Sequence, residues 1–157
     1  MFPALLVGMA LLVGSVVTSG AAAAVVIRGT AYVIRRGYAG TSLWKNIVVL
    51  VLTTLVATLG HLCQIALWGA VFVACGEFET FGDAFYHSAG NYTALGYSDM
   101  IMSARWRLLG PLESLTGVML LGLSAGLVFA VMSRMIDQRL QREGVRDEAA
   151  RRGTPDV

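Results

Sequence analysis

Charge is what this sequence has least of. Asp, Glu, Lys and Arg make up 14% of its 157 residues and apolar residues 56%, where a soluble domain carries about 25% charged. The shortage is uneven: residues 3–27 hold no charge at all. That distribution excludes an ordinary soluble domain. Cysteine and histidine number two each. Cys63 and Cys75 lie twelve residues apart on one apolar run, about 18 Å of helix, so they cannot pair within the chain and are expected to be buried apolar side chains. His61 and His87 fall on different segments, which leaves no metal or haem ligand set, and no resident cofactor is expected. A small membrane enzyme built on His87 and Asp99 is a weak alternative, because no nucleophile or metal cluster accompanies them. The net charge of +2 is small, and from Arg134 on six Arg stand against five acids. That balance excludes a nucleic-acid partner and reads as a solvated helical tail, fraying after Gly153 and Pro155 and too short for a ligand-binding domain. No arginine-repeat helix is present, which argues against voltage sensing.

What the chain has instead is three apolar runs, at residues 3–27, 47–76 and 108–133, the last two broken only by His61, Gln64 and Glu113. About 20 apolar residues cross a bilayer. The first run has a cleavage-site-like stretch at Ala21 to Ala24, but no positive lead and a core longer than a signal peptide's, so it is read as a span. Arg28, Arg35, Arg36 and Lys45 sit between the first two runs with no acid among them, which makes that loop cytoplasmic. The amino terminus is then outside, the carboxyl terminus cytoplasmic, and Glu77, Glu79 and Asp83 outside. These three acids read as an outer ring that concentrates cations or, more simply, as solvated loop acids. Tyr32, Tyr38 and Trp44 among the basic residues of 29–46 suit a headgroup-level amphipathic linker.

Residues 77–107 are too polar for a fourth span. Thr80 with Asp83 three residues on has capping-box spacing, predicting a helix from Phe81 to about Tyr92. Three turns cross only half of a hydrocarbon core, so the chain enters and returns. Irregular backbone at that depth is tolerated only when buried in protein or lining a watery cavity.

A spanning helix, a re-entrant half-helix, the loop "TALGYSD" and a glycine-containing helix together resemble the pore module of tetrameric potassium channels, whose filter reads TVGYG. The resemblance covers residues 47–135. It implies an all-α membrane protein with three transmembrane helices plus a re-entrant pore helix and filter loop, assembled as a homotetramer in the plasma membrane. The divisions are a first transmembrane helix at 1–28, the linker at 29–46, the pore module at 47–135 and a cytoplasmic tail at 136–157. The filter oxygens would be the backbone carbonyls of Ala94, Leu95, Gly96 and Tyr97, binding permeant monovalent cations, potassium foremost. Thr93, Ser98, Asp99, Tyr86 and His87 would support them, with Tyr97 bonded to an aromatic cuff at Tyr86 and His87. Gly117, or Gly122 after it, would be the gating hinge; Gly126 continues the same small-residue pattern, which equally suits helix packing alone. Alanine, leucine and serine at 94, 95 and 98 replace the family's threonine, valine and glycine, changes that bear on potassium-over-sodium discrimination. Alternatives are a non-selective cation channel and a non-conducting scaffold or subunit that keeps the fold.

Two intramembrane groups remain. His61 is either functional or a neutral imidazole bonded to another helix. Glu113 is a first-turn acid if the last helix starts near Pro111, and lies deeper, behind the filter, if the helix starts at Ser103.

Overall fold

A computed structural model describes residues 2–35, 43–97 and 100–152. Arg36 and Tyr38 of the linker, Ser98 and Asp99 of the loop, and Gly153 and Pro155 of the tail lie outside the described residues. The architecture is all helical: α1 (Phe2–Arg35), α2 (Leu43–Ala74), α3 (Phe81–Tyr92) and α4 (Leu109–Arg152). Three of these, α1, α2 and α4, are long and apolar enough to cross a membrane.

The helices run past the apolar segments that announce them. At 34, 32 and 44 residues and 1.5 Å per residue, each exceeds a hydrocarbon core of about 30 Å. α1 thus continues to Arg35 rather than stopping near residue 28, and α4 carries the tail as helix to Arg152. Good helix formers and an exposed Arg139–Glu143 pair at 2.9 Å, one turn apart, sustain that extension.

Threonines within the apolar helices bond to their own helix. The hydroxyls of Thr53, Thr54, Thr58 and Thr116 each donate to the carbonyl four residues earlier, at 2.8–3.0 Å. In lipid no water would serve those groups, so back-bonding is what makes them admissible.

The molecule is layered along its length. At one end Ala4 of α1, Trp68 and Phe72 of α2, Phe78, Ala84 of α3, Met102 and Leu109 of α4 form the main apolar core. At the other end Val49 of α2 meets Val131 and Met135 of α4. Between them lies a polar layer. Gln64 of α2 accepts from Ser15 Oγ at 2.8 Å and donates to Thr18 Oγ1 at 2.6 Å, fastening α1. His61 Nδ1 of α2 meets the Tyr92 hydroxyl of α3 at 2.9 Å. Glu113 of α4 meets Ser88 of α3.

Close approach depends on missing side chains. A Cβ on Gly117 would collide with the Tyr92 carbonyl oxygen, and one on Gly69 would stand 3.2 Å from the Phe85 backbone. Glycine is required at 117 because α4 crosses the end of α3 backbone to backbone. Cys63 is exposed and Cys75 half-buried, against the expectation that both are buried: Cys63 sits on a face of α2 that no other described helix covers.

Candidate functional site

The site grows from the short helix α3. Thr80 in extended conformation caps its start, its hydroxyl oxygen accepting from the Asp83 N–H at 3.1 Å. The same hydroxyl donates to Asp83 Oδ2 at 2.7 Å. Asp83 is therefore a capping residue. Glu77 is also engaged: its carboxylate accepts from the Ser103 N–H and hydroxyl, both at 2.6 Å. This ties the segment before α3 to the one before α4, and of the three outer acids only Glu79 is left as a simply exposed one.

The far end of α3 leads into the loop. The Ala94 N–H bonds the Asn91 carbonyl at 2.8 Å and the Leu95 N–H bonds the Gly90 carbonyl at 3.0 Å. That pair of bonds is a Schellman motif, whose pivotal residue adopts left-handed backbone and is usually glycine. Here the pivot is Ala94, at φ 57°. Gly96 follows at φ 67°. Thr93 folds its hydroxyl back on the Ala89 carbonyl at 2.7 Å. Leu95 and Tyr97 are 61% and 72% exposed, large apolar surfaces that the other described residues leave mostly uncovered.

Around this loop the expected support residues separate. Tyr86 and Tyr97 line one cavity of about 220 Å³, together with Ala89, Gly90, Thr93 and Leu95. His87 instead points into the apolar core, with ring centroids 4.9 Å from Phe78 and 5.6 Å from Phe72. Burial there pushes its pKa below the usual histidine value.

Behind α3 stands a second layer. α4 starts at Leu109, so Glu113 lies just past the first turn, fully buried against α3. Its carboxyl touches Ser88, and the side chain of Asn91 faces it. Ser114 donates to the Asn91 carbonyl at 2.7 Å, and Gly117 lies on the Tyr92 carbonyl. Tyr92 is fully buried; burial chiefly pushes the pKa of its hydroxyl up, so it stays protonated beside His61. His61 is thus an interhelical hydrogen-bonding group. Ser88, Asn91, Tyr92 and Ser114 escape a reading of the sequence, where each is one unremarkable polar residue; their only signal is that Ser88, Asn91 and Tyr92 share a short polar helix flanked by two long apolar ones.

Residues 48–134, more than half of the chain, match a family model described as an ion channel. The chain belongs to this ion-channel family. The matched part of the channel comprises nearly all of α2, the whole of α3 and its loop, and α4 as far as Arg134; α1 and the distal part of α4 fall outside it. No curated protein and no solved structure matches the chain. As a member of this family it is a membrane protein of the ion-channel class, not an enzyme. Among the described residues no group of three or more His, Cys, Asp or Glu side chains is placed to hold a metal ion.

Proposed function

We propose that four copies of the chain surround one cation pathway, with α3 as a re-entrant pore helix and the backbone carbonyls of Ala94, Leu95, Gly96 and Tyr97 as filter ligands. The observation that carries the proposal is the way α3 ends. A twelve-residue helix, about 18 Å long, reaches only part way through a bilayer and then delivers an exposed, glycine-bearing segment from a Schellman turn. In a member of an ion-channel family such a segment is where ions are stripped of water and bound by carbonyl oxygens.

Conduction on this reading is passive. Potassium is the favoured ion because "TALGYSD" resembles the potassium-channel filter; the absent threonine hydroxyl at Ala94 removes one ring of ligands, which water would replace. The excess of basic residues around the junction of α1 and α2, Arg28, Arg35, Arg36 and Lys45, supports a cytoplasmic side there and an amino terminus outside, in the plasma membrane. The four-fold assembly is supported by the uncovered Leu95 and Tyr97 and by the exposed Leu115, Val118, Met119 and Phe129 of α4, which a single pore-lining helix would leave without protein contacts.

The test is ion flux through the purified protein in liposomes under potassium or sodium gradients, comparing wild type with Gly96→Pro. Potassium-selective flux lost in the variant is the expected result. Equal potassium and sodium flux would make it a non-selective cation channel. No flux from a folded tetramer would overturn conduction in favour of a scaffold that retains the fold.

A further inference from the structure

Ser88 Oγ sits between two oxygens. The Ile65 carbonyl of α2 lies 2.8 Å away on one side, and Glu113 Oε1 of α4 is in hydrogen-bond contact on the other. A serine hydroxyl has one proton to give and lone pairs with which to accept. A backbone carbonyl has none to give, so the contact with Ile65 takes the serine proton. The contact with Glu113 then needs a proton from the carboxyl.

The alternative placement fails on both sides. Were Ser88 to donate to an ionised Glu113, its lone pairs would face the Ile65 carbonyl at 2.8 Å, oxygen against oxygen. The carboxylate would also be 0% exposed, with the Asn91 amide facing it but Oε2 short of a hydrogen bond of ordinary geometry, inside a helix long and apolar enough to cross a membrane. A buried charge without a counter-charge is among the costliest arrangements a fold can hold.

We infer that Glu113 is a protonated carboxylic acid and acts as a positioning residue, donating to Ser88, which donates to Ile65. One chain of bonds thereby ties α4 to α3 to α2 at Ser88, in the helix that leads into residues 93–97. α2 comes near enough only because Gly69, one turn after Ile65, has no side chain to meet the backbone of Phe85. The titratable neighbours do not supply a counter-charge. Tyr92 of α3 is held neutral and bonds His61 of α2. His87 faces Phe72 and Phe78. Arg105 and Arg107 lie on the exposed turn before α4, and residues 2–27 of α1 contain no ionisable group.

The protonation of Glu113 stands independently of the filter assignment, whereas its positioning role rests on the proposed conduction. The experiment has two matching arms on the full chain in lipid vesicles. Infrared difference spectra of wild type against E113Q at neutral pH should show the carbonyl stretch of one protonated carboxylic acid, lost in E113Q and displaced in S88A. Finding only carboxylate bands would overturn the inference. In potassium flux, E113Q keeps an N–H donor for Ser88 and should stay within about twofold of wild type, while E113M, of similar size but without a donor, should lose about tenfold. Raising pH should reduce wild-type flux and leave E113Q flat. Equal flux from E113Q, E113M and wild type at every pH would remove the positioning role. Should E113M fail to fold, the E113Q spectrum and pH profile still decide. Absence of flux from wild type itself would refute conduction alone, and the spectrum would still report on the acid.

Discussion

Ala94 occupies a backbone position that costs an L-residue about 1–2 kcal/mol and glycine almost nothing. Ala94→Gly is therefore expected to stabilise the end of α3 by about 1 kcal/mol, raising the thermal midpoint of the purified protein; an unchanged or lower midpoint would mean that Ala94 does not hold the left-handed conformation. Gly117 is the opposite case. A methyl group there would collide with the Tyr92 carbonyl, and since neither backbone can turn aside, Gly117→Ala should destabilise by about 1–3 kcal/mol, whereas Gly122→Ala, with nothing within 4 Å, should be nearly neutral. His87 sets a pH dependence. Its pKa is lowered from 6.5 by burial, so the unfolded chain binds the proton more readily and stability falls as pH drops below about 6.5; His87→Phe should remove that part of the acid sensitivity in a melting series. At this scale the sequence was legible where chemistry is local. Thr80 and Asp83 announce a helix start because a capping box spans only four residues. Nothing local distinguishes His87, which packs with Phe72 and Phe78, from Tyr86, which lies beside Tyr97. That difference is a helical rotation of 100° combined with the placement of α2, and neither is written in the segment itself.

Among the helices, α1 is held by two kinds of contact. Gln64 bonds Ser15 and Thr18 at mid-height, and near the start of α1 a Cβ on Gly8 would lie 3.4 Å from Leu112 Cβ, close to the Cβ separation of a disulfide. A Gly8→Cys, Leu112→Cys pair in a background with Cys63 and Cys75 replaced by serine should therefore cross-link within one chain under mild oxidation. Adding Gln64→Leu, which removes interhelical bonds worth about 1 kcal/mol, should lower the yield; no cross-link at all would mean that α1 packs elsewhere. The three long helices could be read from composition, because an uncharged stretch of that length has few other destinies. Their ends could not. A helix that leaves the hydrocarbon continues for as long as its residues tolerate helix, so the apolar run marks the membrane rather than the element. The Gln64 contact was half visible, as a polar residue in an apolar run. Its partners lie 46–49 residues away and are two small hydroxyl residues with no mark of their own.

For the whole molecule, the polar layer lies between two apolar ends, and much apolar surface on α1, α2 and α4 remains uncovered. Lipid can cover some of it. The exposed Leu95 and Tyr97 at the end of a helix that does not span are better covered by other copies, and the mass of the protein in lipid nanodiscs is expected to be that of four chains. A monomer or dimer would sink the shared-pathway reading. Family membership rests on residues 48–134, and the sequence held it because a polar, glycine-bearing loop between two spans is rare. It offered Glu113 behind that loop only as one of two alternatives and gave no sign of Ser114 or of the close approach at Gly117, because these reach α3 from a helix that starts seventeen residues after its end. The crossing of α4 over α3 at Gly117 also decides where α4 can move. A rod clamped near one end flexes beyond the clamp, not at it, and the upper part of α4 is fastened at Glu113, Ser114 and Gly117 in turn. Any bending of α4 is therefore expected in the stretch below the clamp, where a Cβ on Gly122 or Gly126 would meet nothing within 4 Å in the single chain.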